Sequence, residues 1–282
     1  MNKIYINGKY FDSESAKISV LDRGFLFSDG IYEVIPKVGP DWVGFDEHLS
    51  RMQQSCKELH IDQPEENWSE VAEQLLHDEG YDNDQSCFIY IQVTRGQMPM
   101  RNHVYSEITP NRVAWLQPMS VPSKSEVAKG VKAIFQEDLR WGRCDIKSIS
   151  LLGNIIAKNA AVKAGAEEAL LVKGDFVLEG SSCNLFIVRS GTVFTHPLSR
   201  QILPGVTRRL LVEVLNEQSI PLVEEPFTQT EVLKADEVWL TSSTKGVIPV
   251  TQVDQKKIGD GESGDLWSKV YDEFQKKYLS EV

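Results

Sequence analysis

The chain has no apolar run approaching the roughly 18 residues that a membrane-spanning helix needs. Residues 1–8 lack the apolar core of a signal peptide, so export is not expected. Basic residues are fewer than acidic ones, 30 against 41, which leaves a net charge of −11. This charge disfavours a surface for nucleic acid or anionic membrane. The sequence therefore predicts a cytoplasmic, soluble protein that binds neither.

Cysteine is also sparse. The four cysteines show neither a Cys-x-x-Cys pair nor a zinc-site spacing with histidine, so no metal site is predicted: Cys56, Cys87, Cys144 and Cys183. In a reducing cytosol they are expected to be free thiols. Cys144 lies three residues before Lys147, but no histidine stands nearby, and we interpret it as a packing residue.

What is present is typical of a soluble globular protein, with 41% hydrophobic and 25% charged residues in a chain of 282. Helical and strand patterns are interspersed without strict βαβ alternation, which predicts an α+β fold. A helix is predicted over 46–59, with Asp46 as its N-cap. Proline and serine in residues 117–125 indicate a linker. We therefore expect domains at 1–118 and 125–282, joined by residues 119–124.

A lysine and a downstream glutamate are the most informative residues. Lys147 stands among apolar and small residues, and burial there would favour its neutral amine. A neutral amine attacks aldehydes, so Lys147 is a candidate Schiff-base former. Glu179, in the segment EGSSCN, could hold a pyridine nitrogen protonated. A lone lysine or glutamate is usually a solvated surface residue, so the interpretation depends on the surrounding sequence.

Two further segments could bind a phosphate. Gly205-x-Thr207 precedes an amphipathic helical pattern, and a helix start offers backbone N–H groups, a hydroxyl and the positive end of the dipole. A capped surface helix without a ligand is the alternative. Residues 242–246, SSTKG, form a hydroxyl-rich turn after a predicted strand, and an ordinary turn is the alternative there.

The surrounding sequence resembles one known family. Residues 140–148 and 151–154, RWGRCDIKS and LLGN, resemble the segment that carries the Schiff-base lysine of the fold-type-IV pyridoxal phosphate enzymes. The resemblance runs from DRGF at 22–25 to TSST at 241–244 and is greatest to the bacterial D-amino-acid aminotransferases. It implies a small N-terminal α/β domain, a larger C-terminal domain and pyridoxal 5′-phosphate as cofactor.

The resemblance also implies which residues hold the cofactor. Arg51, on a predicted helix, matches a phosphate ligand of the family, although a structural salt bridge is the alternative for it. Leu203 matches a leucine that packs on the cofactor ring, which is compatible with a place in the core. The cofactor-binding set implied by the family is Lys147, Glu179, Arg51, Leu203, Val206, Thr207 and Ser243.

For the substrate, the resemblance implies a carboxylate site formed by Tyr32, Arg101 and His103. In the family an Arg-x-His pair reaches in from the partner subunit, which implies a homodimer with shared active sites. The chemistry is suitable, because a guanidinium offers a bidentate fork to a carboxylate and an imidazole adds a donor. Met100 is one extra residue between the proline and the arginine relative to the family.

The implied reaction is transamination between a D-amino acid such as D-alanine and a 2-oxo acid such as 2-oxoglutarate, giving pyruvate and D-glutamate. Lys147 would carry the proton transfer. A branched-chain L-amino-acid aminotransferase shares the lysine, the glutamate and the phosphate site but would not need the Arg-x-His pair. The sequence also leaves open an aminodeoxychorismate lyase and a non-catalytic cofactor-binding or scaffold protein of the same fold.

Overall fold

The computed structural model describes residues 2–62 and 66–279. Helices and strands are interspersed along the chain, which confirms the predicted α+β class. Within these two ranges no helix is both long and apolar enough to cross a membrane.

The described chain divides into two compact units. Of the described residues, the first unit comprises those up to Ser120 together with Ile146–Ser150, and the second comprises Val121–Asp145 together with residues 151–279. The domain limits expected from the sequence stay a prediction. The short segment that carries Lys147 nevertheless packs with the first unit, although it lies well beyond the expected linker.

The first unit is built on an antiparallel sheet covered by helices. Its elements are β1 (Lys3–Ile6), β2 (Lys9–Asp12), α1 (Arg23–Phe27), β3 (Gly30–Val38), β4 (Asp41–Trp42), α2 (Phe45–Glu58), α3 (Trp68–Glu79), β5 (Cys87–Thr94) and β6 (Asn111–Pro118). The strand order is β2-β1-β6-β5-β3-β4. Helix α2 packs on β3, and α3 packs on β1 and β6.

Side-chain alternation explains this arrangement. In β5, Cys87, Ile89, Ile91 and Val93 are buried while the residues between them are partly exposed. A period of two places these four on one face of the sheet. That face packs against apolar residues of α2 and α3 in one core cluster, so burial of apolar surface holds the helices to the sheet.

The second unit is built on a mixed sheet. Its elements are α4 (Lys124–Val127), β7 (Val131–Glu137), α5 (Leu152–Lys163), β8 (Glu168–Lys173), β9 (Phe176–Gly180), β10 (Asn184–Arg189), β11 (Thr192–Thr195), α6 (Val206–Glu217), β12 (Leu222–Glu224), β13 (Phe227–Thr228), α7 (Gln229–Leu233), β14 (Glu237–Ser242), β15 (Gly246–Val253), β16 (Lys256–Lys257) and α8 (Asp265–Tyr278). The order is β12-β11-β10-β14-β15-β7-β8-β9-β13, with β16 on β15. Strand β7 runs parallel to both neighbours.

The predicted N-cap at Asp46 is wrong. Helix α2 begins at Phe45, and Gly44 occupies the N-cap position with φ +64°. This left-handed conformation costs glycine little, and it turns the chain from β4 directly into the helix. Asp46 instead lies in the first helical turn, where its charge complements the helix dipole.

A buried ion network joins β3 to α2. The carboxylate of Glu33, fully buried on β3, accepts hydrogen bonds from Arg51 Nε at 2.8 Å and Arg51 Nη2 at 2.6 Å. Nδ1 of His48 lies 2.7 Å from Glu33 Oε2. Burial alone would raise the pKa of Glu33, but the Arg51 charge and these hydrogen bonds lower it to about 2. Glu33 is therefore ionised and neutralises Arg51 in the core.

We expect Glu33→Gln to destabilise the protein by roughly 3–5 kcal/mol at neutral pH, because the buried guanidinium of Arg51 loses the negative charge that balances it. The pKa of Glu33 is lowered from 4.5 to about 2, so its stabilisation is present above pH 4.5 and is lost as the pH falls towards 2. Urea unfolding of both proteins should therefore show a difference in free energy that shrinks with acidification.

The matched control for this prediction is Glu73→Gln, an exposed glutamate on α3. It should change the free energy of unfolding by less than about 0.5 kcal/mol at any pH. A Glu33→Gln protein as stable as the control protein at pH 7 would contradict the proposed role of the ion network.

Candidate active site

Backbone hydrogen bonds attach the Lys147 segment to the start of β3. The carbonyl of Lys147 accepts from the Tyr32 amide at 3.0 Å, and the Ile149 amide donates to the Gly30 carbonyl at 3.1 Å. The Lys147 amide donates to Oγ of Ser55 on α2 at 3.3 Å. The main chain of Lys147 is therefore fixed on both sides, and only its half-buried side chain keeps freedom of movement.

The amine of Lys147 lies over an aromatic ring. Its Nζ is 4.2 Å from the ring centroid of Tyr32. Tyr32 stacks on Tyr90 with centroids 5.8 Å apart, and Tyr90 stacks on Trp115 at 4.3 Å. The structure thus brings Lys147 and Tyr32 together, and the stacked rings restrict the orientation of the Tyr32 phenol.

Arg51 takes part in a buried ion pair with Glu33, the alternative that the sequence had left open. Its position on α2 is one turn before Ser55, whose hydroxyl binds the Lys147 backbone. Arg51 therefore belongs to the same part of the first unit as Lys147. A phosphate ligand role for Arg51 stays a prediction, and the ion pair would hold the guanidinium in place for it.

Arg101 and His103 lie on an exposed loop of the first unit. Both contact Phe27: the Arg101 guanidinium carbon is 4.9 Å from the centroid of that ring, and the His103 ring centroid is 5.2 Å from it. Met100, the extra residue, has 78% of its surface exposed. The side chain of the insertion therefore projects into solvent, while the Arg-x-His pair stays together.

Glu179 is a buried carboxylate on β9 of the second unit. It pairs with Arg140, and it accepts hydrogen bonds from Asn184 Nδ2 at 2.8 Å and from the Leu203 amide at 3.1 Å. Arg140 also donates to Asp138 at 2.9 and 3.0 Å. Burial raises the pKa of Glu179 to about 7, although the Arg140 charge opposes that shift. The group can therefore hold or release a proton near neutral pH.

Asn184 connects Glu179 to the start of α6. Its amide also donates to the Leu203 carbonyl at 2.8 Å, and a Cβ on Gly205 would collide with its Oδ1. Asn184 pairs with Thr241 across β10 and β14. The start of α6 and the end of β14 therefore meet at Asn184.

The start of α6 fits an anionic ligand. Val206 and Thr207 are buried first-turn residues of a helix that has neither a capping side chain nor an acidic residue in its first turn. First-turn amides have no carbonyl partner within the helix, and they attract anions. Among the described residues, the buried Oγ1 of Thr241 has no hydrogen-bond partner. Ser243 follows directly after β14, so a phosphate would find amides and hydroxyls here.

The predicted site residues thus form two groups. The first unit gathers Lys147, Tyr32 and Arg51, with Arg101 and His103 on its loop. The second unit contains Glu179, Leu203, Val206, Thr207 and Ser243.

Sequence reasoning missed four partners of these residues: Glu33, His48, Arg140 and Asn184. Glu33 did carry a signal, because the residues two positions before and after it in β3, Ile31 and Ile35, are apolar. Arg140 and Asn184 stood inside the family motifs, but nothing local to them indicated that both contact Glu179.

Comparisons with known proteins show which family and fold the chain resembles. The family model described as amino-transferase class IV matches residues 30–253. A D-alanine aminotransferase of Staphylococcus epidermidis is 39% identical over 280 residues and covers 98% of each chain. A D-alanine aminotransferase of Bacillus licheniformis is 37% identical, covering 99% of this chain and 98% of the relative.

Solved structures show the same fold. The Escherichia coli branched-chain amino acid aminotransferase superposes with a TM-score of 0.91 at 21% identity, covering 98% of this chain and 94% of that one. The branched-chain amino acid aminotransferase from T.th., solved with pyridoxamine 5′-phosphate, gives 0.88 at 25% identity, covering 98% and 93%. From the family match over most of its length, the chain belongs to the class IV aminotransferases.

Proposed function

We propose that the chain is a pyridoxal-phosphate-dependent D-amino-acid transaminase. It would transfer the amino group of a D-amino acid such as D-alanine to a 2-oxo acid such as 2-oxoglutarate, giving pyruvate and D-glutamate. The observation that carries the proposal is the backbone-anchored Lys147, whose amine is held over Tyr32. Full-length similarity to D-alanine aminotransferases supports the choice of substrate.

In the first unit, Lys147 Nζ would bind the cofactor aldehyde and later move a proton. The free amine of Lys147 would act first as the base that takes the proton from the substrate Cα and then as the acid that returns it. The fixed main chain of Lys147 limits the arc over which Nζ can travel. A base held in this way gains from orientation as well as from basicity.

In the second unit, Glu179 would face the pyridine nitrogen and keep it protonated. The cofactor then supplies an electron-withdrawing ring that stabilises negative charge at the substrate Cα. Arg140, paired with Glu179, favours the ionised carboxylate that this role requires. Val206, Thr207 and Ser243 would hold the phosphate with Arg51, and Leu203 would pack against the ring.

Tyr32 would bind the substrate α-carboxylate together with Arg101 and His103, which the family resemblance expects to reach in from the second copy of the chain. A guanidinium, an imidazole and a phenol together supply several hydrogen-bond donors to one anion. With the carboxylate held there, the orientation of the Cα–H bond relative to Lys147 is determined, and one enantiomer is selected. This assignment is what separates a D-amino-acid enzyme from a relative that acts on L-amino acids.

A branched-chain amino acid aminotransferase is the second candidate, because the solved structures with TM-scores of 0.91 and 0.88 carry that name. Their identities of 21% and 25% are lower than the 39% shared with a D-alanine aminotransferase. The shared fold alone does not decide between substrates. The higher identity therefore makes the D-amino-acid enzyme the first choice.

We also propose that the protein is a cytoplasmic homodimer. Helix α5 exposes an apolar stripe at helical spacing: Leu152, Ile155, Ile156 and Val162. A contiguous exposed apolar patch usually marks an interface, and a second copy of the chain is the occupant that a self-associating family favours. The four cysteines are free thiols, which suits a reducing compartment.

We expect Lys147→Ala to abolish the visible absorption band of covalently bound cofactor. It should also lower the rate of D-alanine transamination by at least about a thousandfold, because the group that binds the cofactor and moves the proton is gone. Spectrophotometry and a pyruvate-release assay measure the two effects. Lys173→Ala, at an exposed lysine on β8, is the matched control and should behave as wild type. Normal turnover in the Lys147→Ala protein would refute the proposal.

For the homodimer, we expect Ile155→Glu combined with Val162→Glu to produce monomers, because burying two carboxylates in an apolar interface is costly. Sedimentation velocity at matched concentrations gives the oligomeric state. Val223→Glu, on strand β12 and also exposed, is the control and should leave the state unchanged. A double variant that sediments like wild type would show that the α5 stripe is not the interface.

A further inference from the structure

The candidate carboxylate pair stands on a long exposed loop, residues 97–108. The loop is closed at its base, where Gly96 approaches Thr109 so tightly that a Cβ on Gly96 would collide with the Thr109 carbonyl. Gly96 also has φ +103°, which favours glycine. Closure at the base alone would leave Arg101 and His103 with much conformational freedom. Further contacts must hold them if they bind a substrate with defined geometry.

Arg23 supplies contacts to the loop backbone. Its buried guanidinium donates to the Asn102 carbonyl at 2.5 Å and to the His103 carbonyl at 3.1 Å. Its Nε donates to Asp29 at 2.7 Å, and the same carboxylate also pairs with Arg95, so Asp29 holds two buried guanidinium groups in place. Because one guanidinium binds two successive carbonyls, the main chain is fixed immediately beside Arg101.

Phe27 contacts the side chains of the pair. It follows Arg23 by four residues on α1, and that spacing places both on one helix face. The Arg101 and Arg23 guanidinium carbons each lie 4.9 Å from the Phe27 ring centroid, and the His103 ring centroid lies 5.2 Å away. One aromatic ring therefore touches both members of the pair, and its face attracts a guanidinium.

Helix α1 is itself firmly attached to the sheet. Asp22 caps it by accepting from the Gly24 amide at 2.7 Å, and the same carboxylate accepts from Thr94 Oγ1 at 2.7 Å and Asn111 Nδ2 at 2.6 Å. A Cβ on Gly24 would collide with Thr94, so the helix packs directly against the end of β5. The Phe27 ring is thus carried by a short helix anchored to β5 and β6.

The geometry points to Phe27 as a positioning residue for recognition of the substrate carboxylate. Its ring sets the spacing between Arg101 and His103, while Arg23 fixes the backbone that carries them. The inference rests on the proposed function, because it takes this pair to bind the α-carboxylate. Phe27 acts through the pair and has no part in proton transfer at Lys147. Its loss should therefore weaken binding of carboxylates and spare the chemical step.

The test compares Phe27→Leu with Phe27→Tyr in the cofactor-loaded protein. The first readout is the pair of constants KM and kcat for D-alanine. The second is the dissociation constant of pyruvate, measured by calorimetry. It uses the protein loaded with pyridoxal 5′-phosphate, because that form has no amino group to transfer. Leucine keeps the apolar bulk but removes the aromatic ring. We therefore expect KM and the dissociation constant of pyruvate to rise about three- to tenfold, while kcat stays within about twofold of the wild-type value. Tyrosine keeps the ring and should restore both constants.

Two reference variants separate the possible failures. Phe25→Leu, at an exposed phenylalanine on the same helix, should match wild type. Arg101→Met tests the proposed function itself: if neither KM nor pyruvate binding changes, the carboxylate assignment fails and the inference fails with it. If Arg101→Met weakens binding but Phe27→Leu does not, the inference alone is overturned. The inference is also overturned if both Phe27 variants bind pyruvate more weakly and melt more than about 4 °C below wild type. That combination indicates a purely structural role for the ring.

Discussion

Strand β3 presents neighbouring side chains to opposite faces of its sheet, and the arrangement of the first unit depends on that alternation. Tyr32 faces the amine of Lys147, while Glu33 faces the core and pairs with Arg51. The main chain of the same strand also binds the Lys147 segment. A one-residue shift in register would exchange the two faces and place a carboxylate beside the lysine. The ion pair that anchors Glu33 therefore also protects the environment of Lys147.

Two buried glutamates show how different surroundings prepare the same side chain for different roles. For Glu33, burial is outweighed by Arg51 and His48, and its pKa falls to about 2. For Glu179, burial prevails over the opposing charge of Arg140, and its pKa rises to about 7. Glu33 is thus a permanent structural charge. In the proposed function, the protonated ring nitrogen of the cofactor would lie beside Glu179. Its positive charge would stabilise the ionised carboxylate of Glu179.

The sequence predicted the elements with strong local patterns and the residues inside recognisable motifs. The helix predicted over 46–59, observed as α2, and the motif around Lys147 both follow from patterns of neighbouring residues. Packing of the Lys147 segment with the first unit was not predictable in this way, because it depends on hydrogen bonds to residues more than a hundred positions away. The partner of Arg51 was left open because Glu33 lies 18 residues earlier, on a different element of the fold. A local pattern can indicate that a buried charge needs a partner, but it does not identify which distant residue supplies it.

The loop that carries Arg101 and His103 combines a feature that the sequence predicted with one that it did not. The pair was recognisable from its motif, but its support by Phe27 and Arg23 arises from contacts across about 75 residues of sequence. Met100 is the extra residue that the sequence places directly before the pair. In the structure its side chain is exposed, and the pair remains on one ring.

The central claim is tested most directly with the protein loaded with pyridoxal 5′-phosphate. One sample is mixed with D-alanine and another with L-leucine, and the visible cofactor band is followed in each. The account predicts that D-alanine alone removes the band and that 2-oxoglutarate then restores it. Removal of the band by L-leucine alone would contradict the account. It would assign the enzyme to the branched-chain group and leave Arg101 and His103 without the proposed role.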